Sequence, residues 1–331
     1  MVNQPTTRED STIDNSRHSR DMPLIKRIIP PKTFCGVPYA EDLAALDAEV
    51  AIIGASHGTP YTPGKASHSA NSPEAVRTAL SWYSANREQF DFDAMTEILG
   101  GASVMDCGDI PGDLSDGETN RARITETVSA VLARGSIPIL LGGDDSVPIP
   151  FFHAYAGSDP LMIVQVDAHI DWRNEVHGIT HGFSSTMRRA SEMEHIQQMI
   201  QIGARGPGSA RRQEISDAKS WGSLFFTARD VAKHGMQPAI DSIPNGAKVI
   251  LSIDVDGLDP TLVPGVILPA PGGIGYQQML DLIEGIAQRA QIVGATFVEF
   301  VPENDIQGLG ARAIARLASV LIAAIGQQIR H

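Results

Sequence analysis

The chain has 331 residues, of which 42% are hydrophobic, 20% charged and 5% aromatic, a composition that fits a globular fold of one or two domains. Against 26 basic residues stand 39 acidic ones, and the formal charge of −13 argues against a phosphate-tracking surface and favours a cationic ligand. Two cysteines, Cys35 and Cys107, cannot make a disulfide framework, and the first 30 residues hold no apolar stretch of the signal-peptide kind. Mean hydropathy is −0.07, and the longest apolar run, near Leu317 to Ile325, is about half of what a membrane span needs. A cytoplasmic protein that binds neither nucleic acid nor membrane is expected.

Residues 1–20 are polar, mixed in charge and without apolar periodicity, so 1–30 is expected to be an N-terminal extension and 31–331 a single domain. From Val50 onward short aliphatic runs recur: Val50–Gly54, Ile137–Gly143, Met162–Asp167, Met199–Gly203, Val249–Asp254 and Thr296–Phe300. Between them the spacing predicts helices over Pro73–Ala85, Asn120–Arg134, Tyr276–Ala290 and Gly310–Gln328. Continuously apolar strands alternating with helices predict a parallel sheet covered on both faces.

In such a sheet ligands bind beyond the carboxyl ends of the strands, so the residues there carry the most weight. The run from Met162 ends in Asp167-Ala168-His169-Ile170-Asp171, and in extended chain alternate residues share a face, which puts two carboxylates and an imidazole together. The run from Val249 ends in Asp254-Val255-Asp256-Gly257-Leu258-Asp259-Pro260, and that from Ile137 in Gly142-Gly143-Asp144-Asp145-Ser146. A single Asp at a strand end is often a turn former or helix cap. A cluster of them side by side raises every member's pKa unless a cation neutralises it, and bridging carboxylates with imidazole suit a pair of divalent metal ions.

On these motifs the sequence resembles the ureohydrolase superfamily, the arginase, agmatinase and guanidino-acid hydrolase group. Asp-Ala-His-x-Asp is matched by Asp167 to Asp171, and Ser-x-Asp-Val-Asp-x-x-Asp-Pro by Ser252 to Pro260; Gly58-Thr-Pro, Gly64 and Ser72 to Arg77 look like the agmatinase pattern. The resemblance implies a three-layer α/β/α sandwich around a mostly parallel sheet of about eight strands, assembled as a homo-oligomeric trimer or hexamer. It implies that Asp167 and Asp254 bridge two divalent ions, Mn(II) or Ni(II), that Asp171 completes one site, and that His169 and Asp256 complete the other. A metal-bridging hydroxide would attack the carbon of a cationic guanidinium-type small molecule, releasing urea or a substituted urea with amine or ammonia. Glu299 falls where the family pairs with the guanidinium, and His181, in His-Gly-Phe-Ser-Ser-Thr-Met-Arg-Arg-Ala, resembles the histidine that shuttles protons to the departing amine; His177 competes for that place.

The sequence departs from the family at one ligand. Where Gly-Gly-Asp-His-Ser supplies a histidine, this chain has Asp145, so five Asp and one His would bring −5 against the +4 of two divalent ions. The first site should then be a weaker Lewis acid leaning toward harder ions. The same change also fits a catalytically silent subunit in a hetero-oligomer with a homologous chain. A metal-dependent deacetylase of related fold is a further alternative, but it requires tandem active-site histidines, and no His-His pair occurs. For a substrate carboxylate, Arg188, Arg189 and Arg205 are the nearby cations. The Asp145 variant and the segment Ser184 to Met193 look closer to an agmatinase-like branch that includes guanidine and biguanide (metformin) hydrolases.

Overall fold

The computed structural model describes residues 25–83, 86–208 and 210–330. Eight strands form one sheet: β1 Val50–Ala55, β2 Val104–Ile110, β3 Ile137–Gly142, β4 Leu161–Val166, β5 Ile196–Ile202, β6 Leu224–Phe226, β7 Lys248–Asp254 and β8 Gln291–Val298. Every neighbouring pair is parallel, and the spatial order is β2-β1-β3-β8-β7-β4-β5-β6.

Both faces of the sheet are covered because its central strands are mostly apolar and buried along their length, as in parallel sheets generally. Ile52, Leu141, Val164 and Leu251 look to one side, where they pack with α1 (Ser72–Ala79), α8 (Tyr276–Arg289) and α9 (Leu309–Arg330). Ala51, Ile53, Leu140, Ile163 and Ile250 look to the other, toward α2 (Gly117–Ala133) and α3 (Pro148–His153). The expected three-layer α/β/α sandwich is what the chain forms.

Helix α9 has mean hydropathy 1.6 and is long and apolar enough to cross a membrane by length and composition, more than the run near Leu317 indicated. Its apolar window is 78% buried inside the fold, so the greasiness serves the core. The Asp305 carboxylate accepts from the N–H groups of Gly310 and Ala311 and fixes where the helix starts.

Two strands of this sheet escaped the sequence reading, and both are its edges. β2 is interrupted by Asp106 and Asp109, which hold the fully buried guanidinium of Arg77 in α1, and β6 is three residues long. The last residues of the expected extension contact the edge strand β2. Ile28 bridges to Asp109, and Arg27 donates to the carbonyls of Cys107 and Ala40, because the open row of polar groups along an edge strand takes up passing backbone and side chains. Residues 1–24, the greater part of that expected extension, lie outside the described residues.

Candidate metal centre and substrate cavity

The acidic motifs sit at the carboxyl ends of β3, β8, β7 and β4, which are consecutive neighbours in the middle of the sheet. Val298 lies beside Asp254 and Val166 beside Ile253, so the residues that follow these strands emerge side by side. Sequence spacing put Asp167 and Asp171 on one face; the strand order brings Asp145 and Asp254 to them.

One oxygen from each of Asp145, Asp167, Asp171 and Asp254 falls within 4.8 Å of the others, and all four residues are buried. A second group, Asp167, His169 and Asp256, meets the same limit and shares Asp167 with the first. His169 Nδ1 lies 3.1 Å from Asp256 and 3.4 Å from Asp167. Gly257 makes this approach possible, since a Cβ there would lie 2.5 Å from the Asp167 nitrogen. Behind Asp167 stands a chain of buried amides: Gln165 donates to Asp167 at 2.6 Å, Gln201 donates to Gln165 at 2.6 Å, and Trp172 and Ser223 donate to Gln201. This outer shell fixes the carboxylate's orientation. Gln165 was missed in the sequence, where a lone polar residue inside Met162–Val166 was its signal.

The electrostatics demand a cation. Burial, then the neighbouring charges of Asp167 and Glu299, push Asp145 well above the usual carboxylate range; burial and like charges do the same to Asp171 and Asp254. For Asp167 burial also pushes upward, but hydrogen bonds from His169 and Asp171 outweigh it and hold its pKa low. Asp167 and Asp256 hold a proton on His169, whose pKa is pushed up to about 11. Both carboxylate oxygens of Asp145 are buried and accept no hydrogen bond. Orphaned buried oxygens facing three more carboxylates, with an imidazole alongside, are a donor set that fits divalent metal ions.

Glu299 follows β8 at φ 67°, and Asp171 sits at φ 44°, left-handed conformations that non-glycine residues adopt at a cost. One Glu299 oxygen accepts from the Asp145 N–H at 2.8 Å; the other lies 2.5 Å from Nε2 of His68. His68 lines a cavity of about 360 Å³ with His57, Tyr61, Lys65, Asp144 and Phe183 among its walls. The loop after β1 that carries these residues is clamped to the β3–α3 turn: Ser67 donates to Asp144 and the Thr59 N–H to Ser146. His57, Tyr61 and His68 were missed by the sequence reading, and two histidines in a Gly/Pro/Ser-rich segment after a strand were the available signal.

The chain shares this architecture with known proteins. The profile described as the arginase family matches residues 48–324. The chain belongs to the arginase family. It is similar to mitochondrial agmatinase of Gallus gallus, at 28% identity over 90% of this chain and 89% of that one, and to formimidoylglutamase of Bacillus subtilis, at 30% over 78% and 83%. It is also similar to mitochondrial arginase 1 of Arabidopsis thaliana, at 27% over 86% and 83%. Among solved structures, proclavaminate amidino hydrolase from Streptomyces clavuligerus superposes with a TM-score of 0.78 at 25% identity, covering 92% of this chain and 99% of that one. Agmatine ureohydrolase of Thermoplasma volcanium gives 0.72 at 27%, covering 87% and 94%.

Within this arginase-family fold His181 is not beside Glu299. It lines a different cavity, with Arg121, Arg189 and His153, and its Nδ1 lies 2.9 Å from the Thr180 hydroxyl. Burial and the guanidiniums of Arg121 and Arg189 hold its pKa below the usual imidazole value. The loop turns this way because Phe183 packs on Tyr61 and the Ser184 N–H donates to the Tyr61 hydroxyl. The arginines considered for a substrate carboxylate are engaged elsewhere. Arg188 pairs with Glu192 and Asp217, Arg189 with Asn174 and Glu192, and Arg205 donates to backbone carbonyls of Asp256, Gly257 and Leu258.

Proposed function

We propose that this arginase-family hydrolase cleaves a C–N bond of a compact guanidinium-type cation, which Glu299 holds beside the carboxylate cluster. The observation that carries the reading is the double engagement of Glu299: one oxygen on the Asp145 N–H, the other on His68, which lines the cavity. A guanidinium docked on the free side of that carboxylate gains a charge-assisted pair and stands next to the buried Asp145, Asp167, Asp171 and Asp254 group.

Asp145, Asp167, Asp171 and Asp254 would hold one divalent ion, and Asp167, His169 and Asp256 a second. When bound, Mn(II) or Ni(II) supplies there a nucleophile of hydroxide strength at neutral pH. Asp167, oriented by Gln165, serves both groups; Glu299 orients the substrate's carbon; Phe183 and Tyr61, packed on each other, form part of the cavity wall.

The cavity walls favour a substrate without a carboxylate tail. Among the described residues that line it, Lys65 is the one Lys or Arg, while Asp113 and Asp144 are acidic and His57, Tyr61 and Phe183 are ring systems suited to a flat cation. Guanidine, agmatine-like amines and biguanides such as metformin therefore rank ahead of arginine and guanidino acids. The test is release of urea and amine or ammonia from agmatine, arginine, guanidinobutyrate, guanidine and metformin by protein loaded separately with Mn(II) and Ni(II). Turnover of a tailless or cationic member supports the reading. Silence across the panel with metal bound overturns it, and failure to take up metal supports the silent-subunit alternative that Asp145 also fits.

A further inference from the structure

Resting on the guanidinium reading above, we propose that His68 is the acid that protonates the departing nitrogen. His68 lines the cavity and its Nε2 lies 2.5 Å from a Glu299 oxygen, so a guanidinium nitrogen hydrogen-bonded to that oxygen comes to lie beside the imidazole. The ring is held, not loose. The adjacent Ser67 hydroxyl is bonded to Asp144 at 2.8 Å, and the Phe183 ring meets the imidazole edge-on at 5.4 Å. About a quarter of the side chain, 23%, reaches solvent through the cavity, which gives a route for proton recovery.

The other histidines near the path are less suited. Burial holds His57 below the usual imidazole value, with Asp144 only partly offsetting it, and His181 lies in the other cavity beside two guanidiniums. The charged groups facing His68 are Glu299 from the end of β8, Asp144 from the β3–α3 turn, and Lys65 from its own loop. Burial opposes a proton on the ring and so does Lys65, but Glu299 and Asp144 outweigh them and hold its pKa above the ordinary value. That upward shift favours the imidazolium, the form an acid catalyst requires.

The step balances as follows. Hydroxide adds to the guanidinium carbon and forms the C–O bond, giving a neutral tetrahedral adduct. On collapse the C–N bond breaks with its electron pair left on nitrogen, and the N–H proton of His68 passes to that nitrogen, which leaves as neutral amine or ammonia. The hydroxyl proton of the adduct leaves to solvent as the urea carbonyl forms, and neutral His68 takes up a proton through the cavity mouth. One water is consumed for each C–N bond broken.

The experiment uses the full metal-loaded chain and the guanidinium compound that it turns over best, with His68→Asn, His68→Gln and His181→Asn compared at equal metal content. The expected result is a kcat lower by about 100-fold or more in both His68 variants, with KM changed far less and the alkaline limb of the kcat–pH profile lost. In His68→Gly, added imidazole should restore part of the rate. A His68 variant that changes only KM, or keeps the alkaline limb, overturns the assignment while leaving the guanidinium reading intact. The same signature in His181→Asn in place of the His68 variants also overturns it. A wild-type chain that binds metal and turns over no guanidinium compound overturns both.

Discussion

The backbone N–H of Asp145 donates to Glu299 at 2.8 Å, joining the residue that departs from the family's metal ligands to the residue expected to hold substrate. The two sit at the ends of neighbouring strands, β3 and β8, so the bond ties the spacing between metal group and substrate carboxylate to the sheet itself. A Glu299→Gln variant keeps the shape and this bond but loses the charge. It should retain metal and fold while kcat/KM falls ~100–1,000-fold, about 3–4 kcal/mol of transition-state stabilisation. Wild-type rates in that variant would remove Glu299 from the substrate's path.

Asp167 is shared by the two ligand groups, whereas Asp256 belongs to one. Asp167→Ala should therefore strip both ions and abolish turnover, and Asp256→Ala should leave close to one ion per chain. Metal analysis after gel filtration distinguishes the two patterns; equal stoichiometry in both variants would show that Asp167 does not serve both groups.

In the proposed donor set Asp145 is the member whose change to histidine alters charge most simply. Asp145→His lowers the donor charge by one and exchanges a hard carboxylate for imidazole, so uptake of nickel and zinc should rise relative to manganese. Competition dialysis between Mn(II) and Ni(II), with circular dichroism to verify the fold, measures it. An unchanged preference would show that donor charge at this position does not govern metal choice.

Stability should depend on pH without metal and much less with it. Asp145, Asp171 and Asp254 have folded pKa values raised well above the ordinary 3.8, and His169 is raised from 6.5 to about 11. Groups raised on folding stabilise the metal-free chain fully below their unfolded values, and that contribution is lost as pH rises through the folded ones. In EDTA the melting temperature should fall as pH rises from about 5 toward 9, by ~2–4 °C for each kcal/mol lost. With saturating divalent metal the decline should disappear, because the ion replaces the protons, and metal uptake should release protons to the buffer. Identical melting curves with and without metal across this range would contradict the buried-cluster account.

The sequence by itself determined the sheet's central strands, the sandwich and the acidic motifs. These features are local: an apolar run such as Val249 to Ile253 has one stable use, a strand covered on both faces, and alternate residues beyond it share a side. Edge strands β2 and β6 were not legible, because one carries Asp106 and Asp109 for a distant arginine and the other is too short to show a pattern. Only the tertiary structure decided what faces Glu299. His68 lies 231 positions from it in sequence and reaches it because the loop after β1 folds over the end of β3, the immediate neighbour of β8, an order that the chain does not reveal. His181 illustrates the same limit from the other side: its motif was readable, but the direction in which its loop turns is set by Phe183 and Ser184 packing on Tyr61, a contact between segments more than a hundred residues apart. Periodicity along a chain reports which face a side chain takes within its own element, whereas the partner it meets depends on how strands are ordered and loops are packed, and those are decided by the assembled core.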